Sequence, residues 1–366
     1  MKPAEACDAR GLRLRQVRDR LQESRLEALL VSHLPNIRWL TGFTGSSAFL
    51  LVEPGSATLM TDFRYKAQAF EEVGDGVSVR ITDSDLFAEV ARCLEEGASG
   101  PRVGFEEHSL TVRDRRALGE SSGAVIWEPA GPMVGEMRST KDSVEIDAIS
   151  RAVRVAESAL EDLLGTVREG VSERDLAAEL VYRLRLAGSE SMPFEPIVAS
   201  GPRSALPHAQ PGERTLCEGD LLLVDFGARI EGYCSDMTRT FVLGSAAAWQ
   251  VEIHGIVTRA VENAIATTEA GVLAKDADRA ARDVIVEAGF GDRFGHGTGH
   301  GVGLEVHERP SVNERSRDTL ESGNVVTIEP AVYLPGRGGV RLEEVVVARE
   351  GGRSVLTRFP LALREL

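Results

Sequence analysis

Four carboxylates inside apolar, strand-like runs most constrain what this chain can fold into. Asp225 ends LLLVD, Asp236 lies in CSDMTRTFV, Glu329 in VVTIEP and Glu343 in GGVRLEEVVV. An ionised carboxylate belongs on the water side of a fold unless something compensates its charge. Gathered in one place, the four need about +4 of compensation, which two divalent cations supply. The fold is therefore expected to bring segments more than a hundred residues apart onto one centre.

Local patterns say how. Gly227 and Glu231-Gly232 separate the runs that carry Asp225 and Asp236, so the two read as an antiparallel hairpin. Opposite or diagonal positions in such a pair lie roughly 4.5–8 Å apart, close enough to share an ion. Either aspartate alone would pass for a turn-flanking acid. Glu329 and Glu343 sit on β-rich runs joined by PGRGG, a second hairpin. Arg341 and Glu343 are two residues apart and share a face, while Glu344 points the other way as an ordinary solvated acid.

Three of the seven histidines, His296, His300 and His307, fall in HGTGHGVGLEVHE. The first two have the spacing of a zinc helix, but glycines at 295, 297, 299, 301 and 303 oppose a helix there. An extended segment whose backbone approaches a ligand or another strand fits better. With His300 as the fifth donor the set is oxygen-rich, which favours Mn²⁺, with Co²⁺ or Zn²⁺ as substitutes.

The rest of the chain frames this centre. Residues 1–136 alternate helix and strand signals: an amphipathic helix over 11–26, short apolar strands at 27–32, 37–41, 48–52 and 57–61, then further alternation to 106. This describes an α/β domain. Residues 137–366 form the second, with a long helix to about 167, a helix capped by Ser172, two helices near 247–270 and 274–288, and strands at 195–199, 220–227, 234–243, 324–332 and 340–348. The fold class is thus α+β in two domains. The formal net charge of −15 argues against nucleic acid or an anionic membrane as partner. No run approaches the ~18 apolar residues of a membrane span, and the charged start is unlike a signal peptide. Four cysteines without a C-x-x-C spacing read as free thiols in a reducing cytoplasm.

In this order, the blocks IVASGPRSALPH, VDFG, CSDMTRT, HGTGHGVGLEVHE, VVTIEP and GGVRLEE resemble the "pita-bread" metallopeptidases: aminopeptidase P, prolidase and methionine aminopeptidase. NIRWLTGFTGSS and LMTDFRY resemble the creatinase-type N-terminal domain of Xaa-Pro peptidases. The resemblance implies a curved, mostly antiparallel sheet covered by helices, and a dinuclear centre. Asp225 would bind one metal, His300 and Glu329 the other, and Asp236 and Glu343 both. It implies hydrolysis by a metal-bridging hydroxide with Glu329 shuttling the proton. His208, His296 and His307 would contact substrate, His208 and His307 with a part in catalysis, and Arg341 would support the ligands. The expected substrate is a peptide with proline second. TGFTGSS and TDFRY lean toward an Xaa-Pro aminopeptidase. The alternative is an Xaa-Pro dipeptidase, with Arg38, Arg64 and Arg203 as candidates to hold a dipeptide's carboxylate, and a non-catalytic module is the remote one. A homodimer is expected.

Overall fold

The computed structural model describes residues 3–83, 85–95 and 100–366, with side chains from residue 9 onward; Cys7 lies outside the described side chains. The chain divides into two compact units, Met1–Arg138 and Ser139–Leu366.

The first unit is built on a six-stranded mixed sheet. Its spatial order is Ser78–Thr82, Ala57–Asp62, Ala48–Val52, Ala28–Val31, Arg102–Phe105 and Ile126–Pro129. The middle strands pair antiparallel and the outer ones parallel. Leu30, Leu51, Met60 and Val103 are fully buried in its core, each contributing about 1.5–3 kcal/mol of hydrophobic stabilisation. The run at 37–41, expected as a strand, is instead the end of a helix, Leu34–Thr41. Pro35 in its first turn tolerates the missing N–H, and Gly42 closes it with φ 87°. Five apolar-rich residues are too few for periodicity to separate the two states.

The second unit is antiparallel throughout its named strands. A three-stranded sheet runs Met237–Val242, Leu221–Phe226, Ile197–Ser200, and a five-stranded one Glu308–Val312, Gly299–Gly301, Val325–Ile328, Glu344–Arg349, Gly352–Val355. Helices Ser143–Leu164 and Glu173–Leu186 join the core of the first through Leu160, Leu163, Leu180 and Leu184, with Val198, Leu222 and Val224. Helices Ala248–Thr267 and Ala274–Glu287 do the same for the second through Val257, Val261, Ala277 and Ala281, with Val326, Ile328 and Val346. Asp142 and Glu145 form a reciprocal capping box that starts the first of these helices, so the expected helix from 137 begins at Ser143 instead.

The two long strands expected at 324–332 and 340–348 are each interrupted. Val325–Ile328 and Ala331–Leu334 are separated by Glu329-Pro330, and Gly338–Arg341 and Glu344–Arg349 by Leu342-Glu343. Pro330 has no N–H to give a ladder. Register persists across the gap, Ile328 opposing Glu344 on one side and Ala331 opposing Arg341 on the other, which sets Glu329 across from Glu343.

Candidate active site

Asp225, Asp236, His300, Glu329 and Glu343 line one cavity of about 450 Å³, together with His208, His296, His307 and Arg341. All nine belong to the second unit.

The first two donors come from the hairpin. Its tip is a two-residue turn, Glu231 at φ 49° and Gly232 at φ 79°, the handedness that matches strand twist. Asp225 pairs with Thr238, and Asp236, two residues earlier, therefore projects from the same face. His300 is the middle residue of the strand Gly299–Gly301. A side chain at Gly299 would collide with the Thr327 carbonyl, and one at Gly301 with that of Arg309. Only glycine on either side lets this strand lie between its neighbours with His300 in the cavity.

His300 Nε2 lies 3.6 Å from Asp236 Oδ2 and 3.4 Å from Glu329 Oε1. One donor atom each from Asp236, His300 and Glu343 fall within 4.8 Å of one another. Donors about 2.1 Å from a shared ion stand roughly 3–3.5 Å apart, so the spacing suits coordination better than direct hydrogen bonding. His300 Nδ1 faces the Gly301 carbonyl at 3.0 Å, which leaves Nε2 with its lone pair toward the carboxylates.

Electrostatics make the same point. Burial, with Glu343 and Asp225 adding repulsion, pushes the Asp236 carboxyl well above the usual range. Burial and then Glu329 and Asp225 do the same to Glu343. Burial raises Glu329 to about 8, against the pull of Arg341. Burial, with His307 adding, lowers His300 to about 4. Asp225 Oδ1 and Glu343 Oε1 are buried without a hydrogen-bond partner. Four acids short of positive charge, two orphaned oxygens and a neutral imidazole are a donor set that fits divalent cations.

Arg341, 3 % exposed, is the one arginine or lysine lining this cavity among the described residues and is fully committed. It donates to Asp225 Oδ2, to the Tyr333 hydroxyl at 2.7 Å, to Thr238 Oγ1 at 3.2 Å and to the Pro207 carbonyl at 3.2 Å. Its partner is Asp225, not the Glu343 with which it shares a strand face. Thr238 in turn donates to Glu343 Oε2 at 2.8 Å. His296 Nε2 meets the Tyr333 hydroxyl at 3.1 Å. The His307 ring stands edge-on to His300, centroids 4.3 Å apart. His208 sits on an exposed rim whose loop is pinned by the fully buried Glu173, which accepts from the Ser200 and Gly212 amides and from Arg203. Arg203 is thereby occupied and does not line the cavity.

Glu344 departs from expectation. It points away from the cavity but is 3 % exposed, paired with Arg239 and bonded by Thr357 Oγ1. A second layer covers that face: Arg239 also donates to the carbonyls of Phe359 and Pro360, binding the C-terminal segment over the strand. Sequence reasoning also missed Tyr333 and Thr238. Thr238 carried a signal, two residues after Asp236 on the same strand face; Tyr333 carried none.

Comparison with known proteins turns this geometry into a family. Residues 147–350 match Metallopeptidase family M24, and residues 13–140 match the Creatinase/Prolidase N-terminal domain. The chain belongs to family M24. It has the M24 two-domain pita-bread architecture and is a metallopeptidase, which implies divalent metal ions at its site. It is similar to a solved Xaa-Pro dipeptidase from Bacillus anthracis, with 36 % identity, 98 % of this chain and 100 % of that one covered, and a TM-score of 0.94. An X-Pro aminopeptidase from Thermotoga maritima shares 35 % identity over 93 % of this chain and 98 % of that one, TM-score 0.86. The Xaa-Pro dipeptidase of Pyrococcus horikoshii is 33 % identical over 96 % of this chain and 98 % of its own length. Among the described residues no helix is long and apolar enough to cross a membrane.

Proposed function

We propose that this M24 metallopeptidase is an Xaa-Pro dipeptidase, hydrolysing the bond before a proline with two divalent cations, Mn²⁺ in the first instance. The observation that carries the reading is the end-to-end similarity to the Bacillus anthracis Xaa-Pro dipeptidase. That similarity, with the Pyrococcus relative beside it, weighs for the dipeptidase over the aminopeptidase that TGFTGSS and TDFRY suggested. The Thermotoga aminopeptidase is the observation that keeps the second reading alive.

Asp225, Asp236, His300, Glu329 and Glu343 would hold the cations, and no cysteine is called for. When bound, the cations supply Lewis-acid polarisation of the scissile carbonyl and a water acidified toward neutrality. The protein's own residues do the rest. Glu329, whose carboxylate stands 3.4 Å from His300 Nε2, takes a proton and passes it to the departing proline nitrogen. His307, lining the cavity edge-on to His300, donates to the substrate carbonyl oxygen as it gains charge. His296, lowered to about 4 chiefly by burial, is neutral and is oriented by Tyr333. His208 contacts the substrate from the rim. Arg341 fixes Asp225 and so the geometry of the cluster.

Initial rates on a matched Xaa-Pro dipeptide and Xaa-Pro-Yaa tripeptide, with Mn²⁺ present, test the reading. A kcat/KM at least tenfold higher on the dipeptide is expected. Preference for the tripeptide would return the assignment to aminopeptidase, and full activity after exhaustive chelation would overturn the metal chemistry itself.

A further inference from the structure

We propose that Asp278 and Arg282, one turn apart on the helix Ala274–Glu287, are positioning residues that hold the glycine-rich wall and, through it, His296, His300 and Glu329. The inference rests on the assignment of His300 and Glu329 as metal donors.

The wall cannot fix itself. Glycines at 295, 297, 299, 301 and 303 let it pass close to neighbouring backbone but leave it few side chains with which to lock its path. The lock comes from outside. Asp278, fully buried, accepts the Thr298 amide at 3.0 Å and the Thr298 hydroxyl at 2.8 Å on Oδ1. Both its oxygens also accept from Arg282, at 3.0 Å each. Arg282 then spends its remaining donors on the wall, reaching the Phe294 carbonyl at 3.1 Å and the His296 carbonyl at 2.9 Å. Its guanidinium lies 4.4 Å from the Phe294 ring centroid, and Glu314 approaches it at 3.5 Å.

The far end of this network is the cavity. Thr298 stands midway between His296 and His300, and its carbonyl accepts the Glu329 amide at 2.7 Å. One residue thus joins the buried carboxylate of Asp278 to the backbone of the proton shuttle. A helical acid–arginine pair four residues apart contributes little on a solvated face. Here the acid is excluded from water, and beyond the pair itself its hydrogen bonds, and those of Arg282, go to the wall. The planar arginine fork is what spans two carbonyls two residues apart; an ammonium cannot do so with the same geometry.

Asp278→Asn and Arg282→Lys test this beside Ile285→Val, a core change on the same helix that removes no hydrogen bond to the wall. Three readouts are taken: kcat and KM on an Xaa-Pro dipeptide with saturating Mn²⁺, calorimetric Mn²⁺ affinity of the stripped protein, and amide exchange over residues 294–300. Asp278→Asn should lower kcat and Mn²⁺ affinity about 10–100-fold, with KM changed less and Thr298 exchange accelerated. Arg282→Lys should fall between it and the parent. If Asp278→Asn does not fold, Arg282→Lys carries the test alone. Affinity and kcat within twofold of the parent in both variants would overturn the proposal, as would equal losses in Ile285→Val. His300→Ala separates this from the donor assignment. Retained Mn²⁺ affinity there would sink the assignment, whereas its loss, with an unaffected Asp278→Asn, sinks only the clamp.

Discussion

Metal loading should expel protons. Burial and mutual repulsion raise the Asp236 and Glu343 carboxyls well above the usual carboxylate range in the metal-free protein. Glu329, at about 8, is roughly nine-tenths protonated at pH 7. His300, at about 4, is already neutral and has nothing to release. Filling both positions at pH 7 therefore displaces about one proton from Glu329, and Asp236 and Glu343, raised in the same direction, add to that release. The combined apparent affinity should rise at least about tenfold per pH unit between pH 6 and 7, since each proton released adds a factor of ten. Calorimetric titration of stripped protein with Mn²⁺ in two buffers of different ionisation enthalpy counts the protons directly. Glu329→Gln should reduce the count by about one. The direction for stability follows too: these folded-state carboxyls are raised, so the metal-free fold binds protons the unfolded chain does not. Its stability is fullest below the ordinary carboxylate range and falls as pH rises toward 8. Release of no proton at pH 7, or an affinity flat across that unit of pH, would refute the account of buried acids short of charge.

Other outcomes are expected. His307→Ala should cut kcat about 10²–10³-fold with little change in KM, read from steady-state kinetics; an effect confined to KM would make it a ground-state contact. Arg239→Met should cost about 3–5 kcal/mol in urea unfolding by stranding Glu344, and Arg239→Met with Glu344→Met should recover most of it. His254, 4 % exposed, is held at about 4 by burial, so the fold refuses a proton that the unfolded chain accepts below its ordinary 6.5. Stability should fall by about 3 kcal/mol between pH 6.5 and 4 on this account, a loss absent from His254→Gln in paired denaturation curves.

What the sequence disclosed depended on whether a local rule was enough. The hairpin around Glu231-Gly232 and the extended HGTGH segment were legible because turn handedness and glycine content are local properties. The helix Leu34–Thr41 was not, since a five-residue apolar run fits strand and helix alike. Glu344 was assigned the correct direction and the wrong environment: alternation along a strand says which face a side chain takes, not whether the C-terminal segment covers that face. Arg341 was seen as a ligand support, but its tie to Asp225 spans 116 residues and had no trace in spacing. Tyr333, Asp278 and Glu173 were invisible for the same reason. They act on the cavity through backbone they touch only once folded.

The register that sets Glu329 across from Glu343 has bonded ladder on both sides, at Ile328–Glu344 and at Ala331–Arg341. Donors mounted between two runs of paired backbone do not wait for an ion to be ordered. The frame stands before the cargo arrives, so capture need not include a folding step, and its rate should follow dehydration of the ion instead. A protein stripped by chelation at neutral pH should keep its sheet, and returning Mn²⁺ should restore turnover in seconds, without the lag of a refolding chain.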